Sequence, residues 1–203
     1  MEPSAKIILS DTELKFVQDK QFIIVKQHII TVVFDMFSIL SKKVQEAILS
    51  EKLQVPAELF HSVPKISRGE NYRSFPYVML DYPSIFKKEG VIALRTMFWW
   101  GHFFSVTLHV SGVFKTALAQ KISTSIKRSS AELFICKNEE EWEHHFEPGN
   151  YSLIVSLPDN DLTKLIAEQP FIKIAVKYPI SEWGNMIDNL EKGSLDLLTL
   201  LEA

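Results

Sequence analysis

The stretch from Val91 to Val110 constrains the fold of this chain most. Residues 91–100 and 103–110 are dense in β-branched and aromatic side chains, and Gly101-His102 lies between them. That pattern predicts an antiparallel hairpin. With Gly101 and His102 as the two turn residues, alternation puts Val91, Ala93, Arg95, Met97, Trp99, Phe104, Val106, Leu108 and Val110 on one face. Ile92, Leu94, Thr96, Phe98, Trp100, Phe103, Ser105, Thr107 and His109 then share the other. Both faces are largely apolar, so the hairpin is expected at the centre of a sheet, covered on one side and partly on the other.

Helical patterns surround it. Ser10-Asp11-Thr12-Glu13 reads as a capping box. From about Lys20 to Lys52, apolar residues step by three and four, and the stripe Phe22–Val33–Phe37–Leu40–Val44 is expected in the core. Whether the two patterns form one bent helix or two stays open. Residues 67–74 read as a polar loop and 75–82 as a strand that Pro76 either confines to an edge or limits to a ladder after it. Pro83 to Lys88 reads as a short turn of helix. Later segments predict a helix from Val113 to about Ile126, short strands at 131–137 and 151–157, and an acidic helix over Glu139–Phe146. A helix at 162–168, a strand at 171–178 and a last helix capped by Ser181 follow. The expectation is an α+β fold and a single domain over residues 1–203. A central, mainly antiparallel sheet carries the long N-terminal helix and the C-terminal helices.

Charge is uneven. Residues 1–130 hold 17 Lys and Arg against 11 Asp and Glu; residues 131–203 hold 5 against 14. Such asymmetry either solubilises the chain or marks surfaces that attract each other. Clustered excess cations are lacking, which argues against a nucleic-acid partner. Lys26, Gln27, His28 and Asp35 interrupt the apolar run at 22–40, which argues against a membrane span. The first ten residues are too weakly apolar for a secretory signal. With one cysteine, Cys136, no internal disulfide can form, and a soluble cytoplasmic protein is expected.

Seven glycines, none in a phosphate-cradling arrangement, exclude the common nucleotide fingerprints. No cofactor, no metal site and no catalytic set is expected: the six histidines show no ligating spacing, and Cys136 reads as a buried, inert thiol. Glu143-His144-His145 reads as part of an exposed helix. The candidate ligand-binding residues are Arg68, Glu70, Asn71, Tyr72, Arg73, Arg95 and His109. Arg68 and Arg73 lie on a loop with Gly69, and guanidinium forks match carboxylates and phosphates. Arg95 sits at an inward strand position, where it must pair, with Asp81 or Glu70, or bind an anion. If strand 75–82 lies beside the hairpin, the three guanidiniums are expected to converge. His109 shares a face with Ser105 and Thr107. Trp99 and Trp100 read as packing, with a dimer contact the next reading.

The leading expectation is a non-enzymatic binding or regulatory protein whose anion-binding loop takes a small anionic ligand. Two rivals stand beside it. One is a small enzyme on an anionic metabolite, with Arg68, Arg73 and Arg95 as anchors and His109 as acid or base. The other is a protein-interaction module that offers its acidic C-terminal third to a basic protein partner. A concave pocket joining His109 to an arginine would favour the enzyme; an exposed patch centred on Trp or Tyr would favour the interaction module.

Overall fold

The computed structural model describes residues 8–50, 53 and 55–202. Residues 1–7, most of the stretch read as lacking a signal, and Lys52, the expected end of the long helix, lie outside them. The fold is α+β. Seven strands form one antiparallel sheet in the order β1-β2-β3-β4-β7-β5-β6: β1 Lys65–Tyr72, β2 Phe75–Lys87, β3 Gly90–Trp99, β4 Phe103–Ser111, β5 Phe134–Cys136, β6 Tyr151–Leu153 and β7 Phe171–Pro179. The helices are α1 Asp11–Gln18, α2 Lys20–Leu49, α3 Gly112–Ile126, α4 Asp159–Glu168 and α5 Met186–Leu198.

The predicted hairpin is β3–β4, at the sheet's centre, but its turn is longer by one residue. Trp99 pairs with Phe103, so Trp100, Gly101 and His102 all lie in the turn. Gly101 has φ +76°, the left-handed conformation that closes three-residue hairpin loops. One residue of slip exchanges the partners across the hairpin. Ile92, Leu94, Thr96 and Phe98 therefore share a face with Phe104, Val106, Leu108 and Val110. Ala93, Arg95, Met97 and Trp99 share the opposite face with Phe103, Ser105, Thr107 and His109. Arg95 and His109, separated by the two-residue turn, are brought together.

The first face meets the helices. Val33, Phe37, Leu40 and Val44 of α2 pack with Leu80, Leu94, Phe104, Val106 and Leu108, together with Ile122 of α3 and Leu190 and Leu197 of α5. Phe37 meets Phe104 edge-on, ring centres 6.4 Å apart. The predicted stripe holds from Val33 onward, but Phe22 and Val25 are exposed, because α2 runs past the edge of the sheet before it reaches the core. Asp19, between the helices, settles the open question: α1 and α2 are two helices. Its backbone leaves the helical region (ψ 86°), and its carboxylate accepts from the Phe22 amide at 2.9 Å. The Ser10–Glu13 capping box forms as read.

Other elements depart from the sequence reading. Residues 67–72 are not a loop but most of edge strand β1, polar because its faces stay largely open to water. Gly69 lies under the Tyr77 ring of β2, where a Cβ would come within 2.5 Å of it. Pro83–Lys88 is not helical; β2 continues to Lys87 past a register shift between Asp81 and Ser84, which accommodates a proline without an N–H. The strand at 151–157 stops at Leu153. Ser181 does not cap α5, because a 3-10 turn, Ile180–Asn185, intervenes. The acidic helix at 139–146 does not form; that segment crosses the second face of the sheet as irregular chain.

Phe37→Ala removes a ring from the centre of the helix–sheet interface and should cost about 3–5 kcal/mol. Leu49→Ala, on the same helix but 62% exposed, should cost less than ~1 kcal/mol. Denaturant titrations of the two variants check both values.

Candidate functional site

The second face of the sheet carries a polar belt between two apolar clusters. Met79, Met97, Trp99 and Phe103 form one cluster; Cys136, Tyr151, Phe171 and Ala175 form the other. Between them lie Asp81, Arg95, Thr107, His109 and Lys173, brought side by side by the registers Asp81↔Arg95↔Thr107 and His109↔Lys173. The β5–β6 connection, residues 137–150, lies over this belt as a cover.

Arg95 is fixed from all sides. Its Nε donates to Asp81 Oδ1 at 2.6 Å and its Nη2 to Asp81 Oδ2 at 3.1 Å. Nη1 reaches His144 Nε2 at 3.3 Å, and the Trp142 ring lies 5.5 Å from the guanidinium. A half-buried fork held bidentately by a buried carboxylate is a structural ion pair. His109 Nε2 donates to Glu141 Oε1 at 2.7 Å. Burial, with help from Lys173 and Arg95, holds its imidazole neutral and lowers its pKa to about 3. His144 is held well below its ordinary value, by burial first and then by the same cations.

The cover is tied down through its own backbone. Lys173 Nζ donates to the carbonyls of Glu141 (2.9 Å) and Glu143 (2.5 Å), and burial brings its pKa down to about 8. The Tyr72 hydroxyl accepts from the amides of His144 (2.7 Å) and His145 (3.1 Å) and donates to Glu143 (2.8 Å). Burial pushes that phenol up to about 12. Asn150 Nδ2 donates to the His145 carbonyl. Amides and carbonyls that a helix would use internally are thus bound to the sheet, which is why the acidic stretch is irregular and His145 is buried, not exposed. Cys136 is buried, donates weakly to Asn150 Oδ1 at 3.5 Å, and has its pKa raised by burial. Among the described residues no group of His, Cys, Asp and Glu side chains is placed to hold a metal ion.

The seven candidate residues therefore divide. Tyr72, Arg73, Arg95 and His109 reach the covered face. Arg73 pairs there with Glu147 at 2.9 Å and lies 3.8 Å from Glu143. Arg68 is in register with Val78, a core residue of the helix side, and so projects from the opposite face, exposed. Glu70 pairs with Lys26 of α2 at 2.5 Å, not with Arg95. Asn71 Oδ1 accepts from the Ser74 amide at 3.1 Å and closes the β1–β2 turn. The expected convergence of Arg68, Arg73 and Arg95 is not found, because strand alternation turns Arg68 away and carboxylates already hold the other two. Sequence reasoning missed Lys173, Glu141, Glu143 and His144. The signal for Lys173 was its single interruption of the apolar run 171–176, which marks a buried polar position once the register is known.

Charge asymmetry has a structural counterpart. Arg73–Glu147, Lys43–Glu191 (2.5 Å) and Lys127–Asp159 (3.6 Å) each join the basic and acidic parts of the chain.

Two grooves lie on the other side of the molecule, along α2. One, of about 390 Å³, is lined by Ile29, Phe98, Trp100, Gly101, Ile180 and Trp183. The other, of about 510 Å³, runs past Val32, Asp35, Met36, Ile39, Trp183, Gly184, Asn185, Ile187 and Asp188. Trp183 borders both. Asp35 and Asp188 are exposed, and neither has a hydrogen-bond or ion-pair partner among the described residues.

No protein-family model matches the chain, and no curated protein or solved structure matches it either.

The covered belt makes stability depend on pH. The His109 pKa is depressed in the folded chain, from 6.5 to about 3, so the unfolded chain binds the extra proton first as pH falls. Stability is full above about pH 6.5 and is lost as pH falls toward 3. Between pH 7 and pH 5, at ~1.4 kcal/mol per unit, the wild type should lose roughly 2 kcal/mol more than His109→Gln, which retains an N–H for Glu141. Denaturant titrations at the two pH values check the difference.

Proposed function

We propose that the chain is a non-enzymatic protein-interaction module that takes a segment with apolar anchors and a basic side chain along α2. The observation that carries this reading is the junction of the two grooves at Trp183. On one side the lining is apolar, with Trp100 and Trp183 as large flat surfaces; on the other, two exposed carboxylates, Asp35 and Asp188, flank Met36 and Ile39, neither of them in a hydrogen bond or close ion pair among the described residues, with Asp188 in the field of Lys43. Aromatic anchors beside exposed carboxylates suit a partner that brings methylenes and an ammonium or guanidinium.

The rival readings have less support. An enzyme on an anionic metabolite would need Arg95 and His109 open to substrate, but Asp81 and Glu141 occupy them and Trp142 lies over both. A small-anion site at β1 is left, among the described residues, with Arg68 alone uncommitted, since Arg73 already holds Glu147.

A titration of tryptophan fluorescence with a short Leu/Lys peptide tests the proposal. A saturable change is expected, absent in Trp183→Ala. Exposed pairs contribute ~0.2–1 kcal/mol each, so Asp35→Asn with Asp188→Asn should weaken binding about two- to thirtyfold. Equal binding of the Leu/Glu counterpart would overturn the reading. So would a melting temperature raised by millimolar phosphate in the wild type but not in Arg68→Ala, which would restore the anion site.

A further inference from the structure

The helix arm formed by α1 and the first two turns of α2 carries a run of exposed apolar side chains. No residue of α1 is buried. Leu14, Phe16, Val17, Phe22, Ile23, Ile24 and Val25 are between 43% and 71% exposed. The arm is nevertheless ordered by its own contacts: the capping box at Ser10, the Asp19 cap, and the Phe16 and Phe22 rings, 6.1 Å apart across the bend.

We infer that this arm pairs with the same arm of a second copy of the chain, forming a two-fold symmetric dimer. Three observations select that occupant. The first is area. At roughly 150–200 Å² for each bare side chain and about half of that exposed, the seven expose roughly 650 Å² in all, spread around the arm. A soluble monomer's largest apolar patch is about 300–600 Å², whereas a stable dimer buries about 800 Å² per partner. Ile8 and Leu9, 72% and 46% exposed beside the arm, bring it to that size.

The second is shape. Successive residues step ~100° around a helix, so Phe22, Ile23, Ile24 and Val25 together cover its whole circumference. A partner laid along one side leaves the others wet. The arm of a second copy brings two helices at once, its α1 and the start of its α2, and encloses these residues from more than one direction.

The third is charge. Asp11 and Glu13 lie in the first turn of α1 and Lys20 at the start of α2, with Lys15 and Asp19 between them; Lys26, further along α2, is already held by Glu70. Antiparallel apposition about a two-fold axis sets the acidic end of each arm against the basic end of the other. A lipid surface selects a cationic arm instead. Although α2 is long and apolar enough to cross a membrane, Ile30, Val33, Met36 and Phe37 in it are packed in the core. Spanning would strip them from the sheet.

Sedimentation velocity of the full chain decides the matter. At ~10–100 μM, a range that populates dimers of micromolar Kd, the wild type should sediment at twice the 23.3 kDa chain mass. Val17→Glu with Ile24→Glu should halve that mass with the far-ultraviolet circular dichroism unchanged, since neither position is in the core. Should that variant lose its dichroism signal, Leu14→Ser with Val17→Ser, confined to α1, replaces it. A wild type at one chain mass, or a folded arm variant still at two, overturns the inference. A one-chain species that pellets with phosphatidylglycerol vesicles assigns the arm to lipid. The groove is a separate surface: the Leu/Lys peptide titration of the arm variant reports on it whatever the mass.

Discussion

Burial of the central hairpin on both faces is the constraint on which the rest of this structure depends. A sheet open to water on one side can place its charges there. Strands β3 and β4 have no such side: helices cover one face and the 137–150 connection covers the other. Every polar residue on these strands must therefore find a partner within the protein. The turn at Trp100–His102, with Gly101 in the left-handed conformation, decides which face receives them. A slip of one residue between the strands would carry Arg95 and Thr107 to different faces and set a charge among the α2 side chains.

Meeting that demand builds the second layer. Asp81 on β2 answers Arg95, and Glu141 answers His109. Lys173 and Tyr72 satisfy backbone groups of the cover. The cover is thus shaped by polar groups rising from the sheet and not by helix propensity. Buried ion pairs of this kind add little net stability relative to apolar replacements, but removing one partner is costly. Their physical effect here is to admit one arrangement of the cover. The same arrangement takes up part of the charge asymmetry, through Arg73 and the glutamates it meets.

Much of the fold was legible in the sequence, for reasons that can be named. The hairpin, β7, α3 and the inner half of α2 carry apolar periodicity strong enough to define them alone, and the capping box marks the start of α1. The turn length was not legible, because a glycine before His102 is compatible with two- and three-residue turns. β1 escaped because an edge strand open to water has no apolar alternation to show. The irregular cover escaped because its conformation is imposed by Lys173 and Tyr72, both distant in sequence. The candidate site inherited these errors: Arg95 and His109 were placed on opposite faces, whereas the register sets them on one. The exposed end of α2 was read as core because helical periodicity marks an apolar face without saying what covers it.

The central claim is that the polar belt is a closed structural network held by the Asp81–Arg95 pair. A double-mutant cycle in a denaturant titration tests it most directly. Arg95→Met alone leaves a buried carboxylate unpaired and should cost about 3–5 kcal/mol, while Arg95→Met with Asp81→Leu should recover all but ~1–2 kcal/mol of that loss. A cost below ~1 kcal/mol for Arg95→Met alone, or a double variant as unstable as the sum of the single ones, would contradict the account.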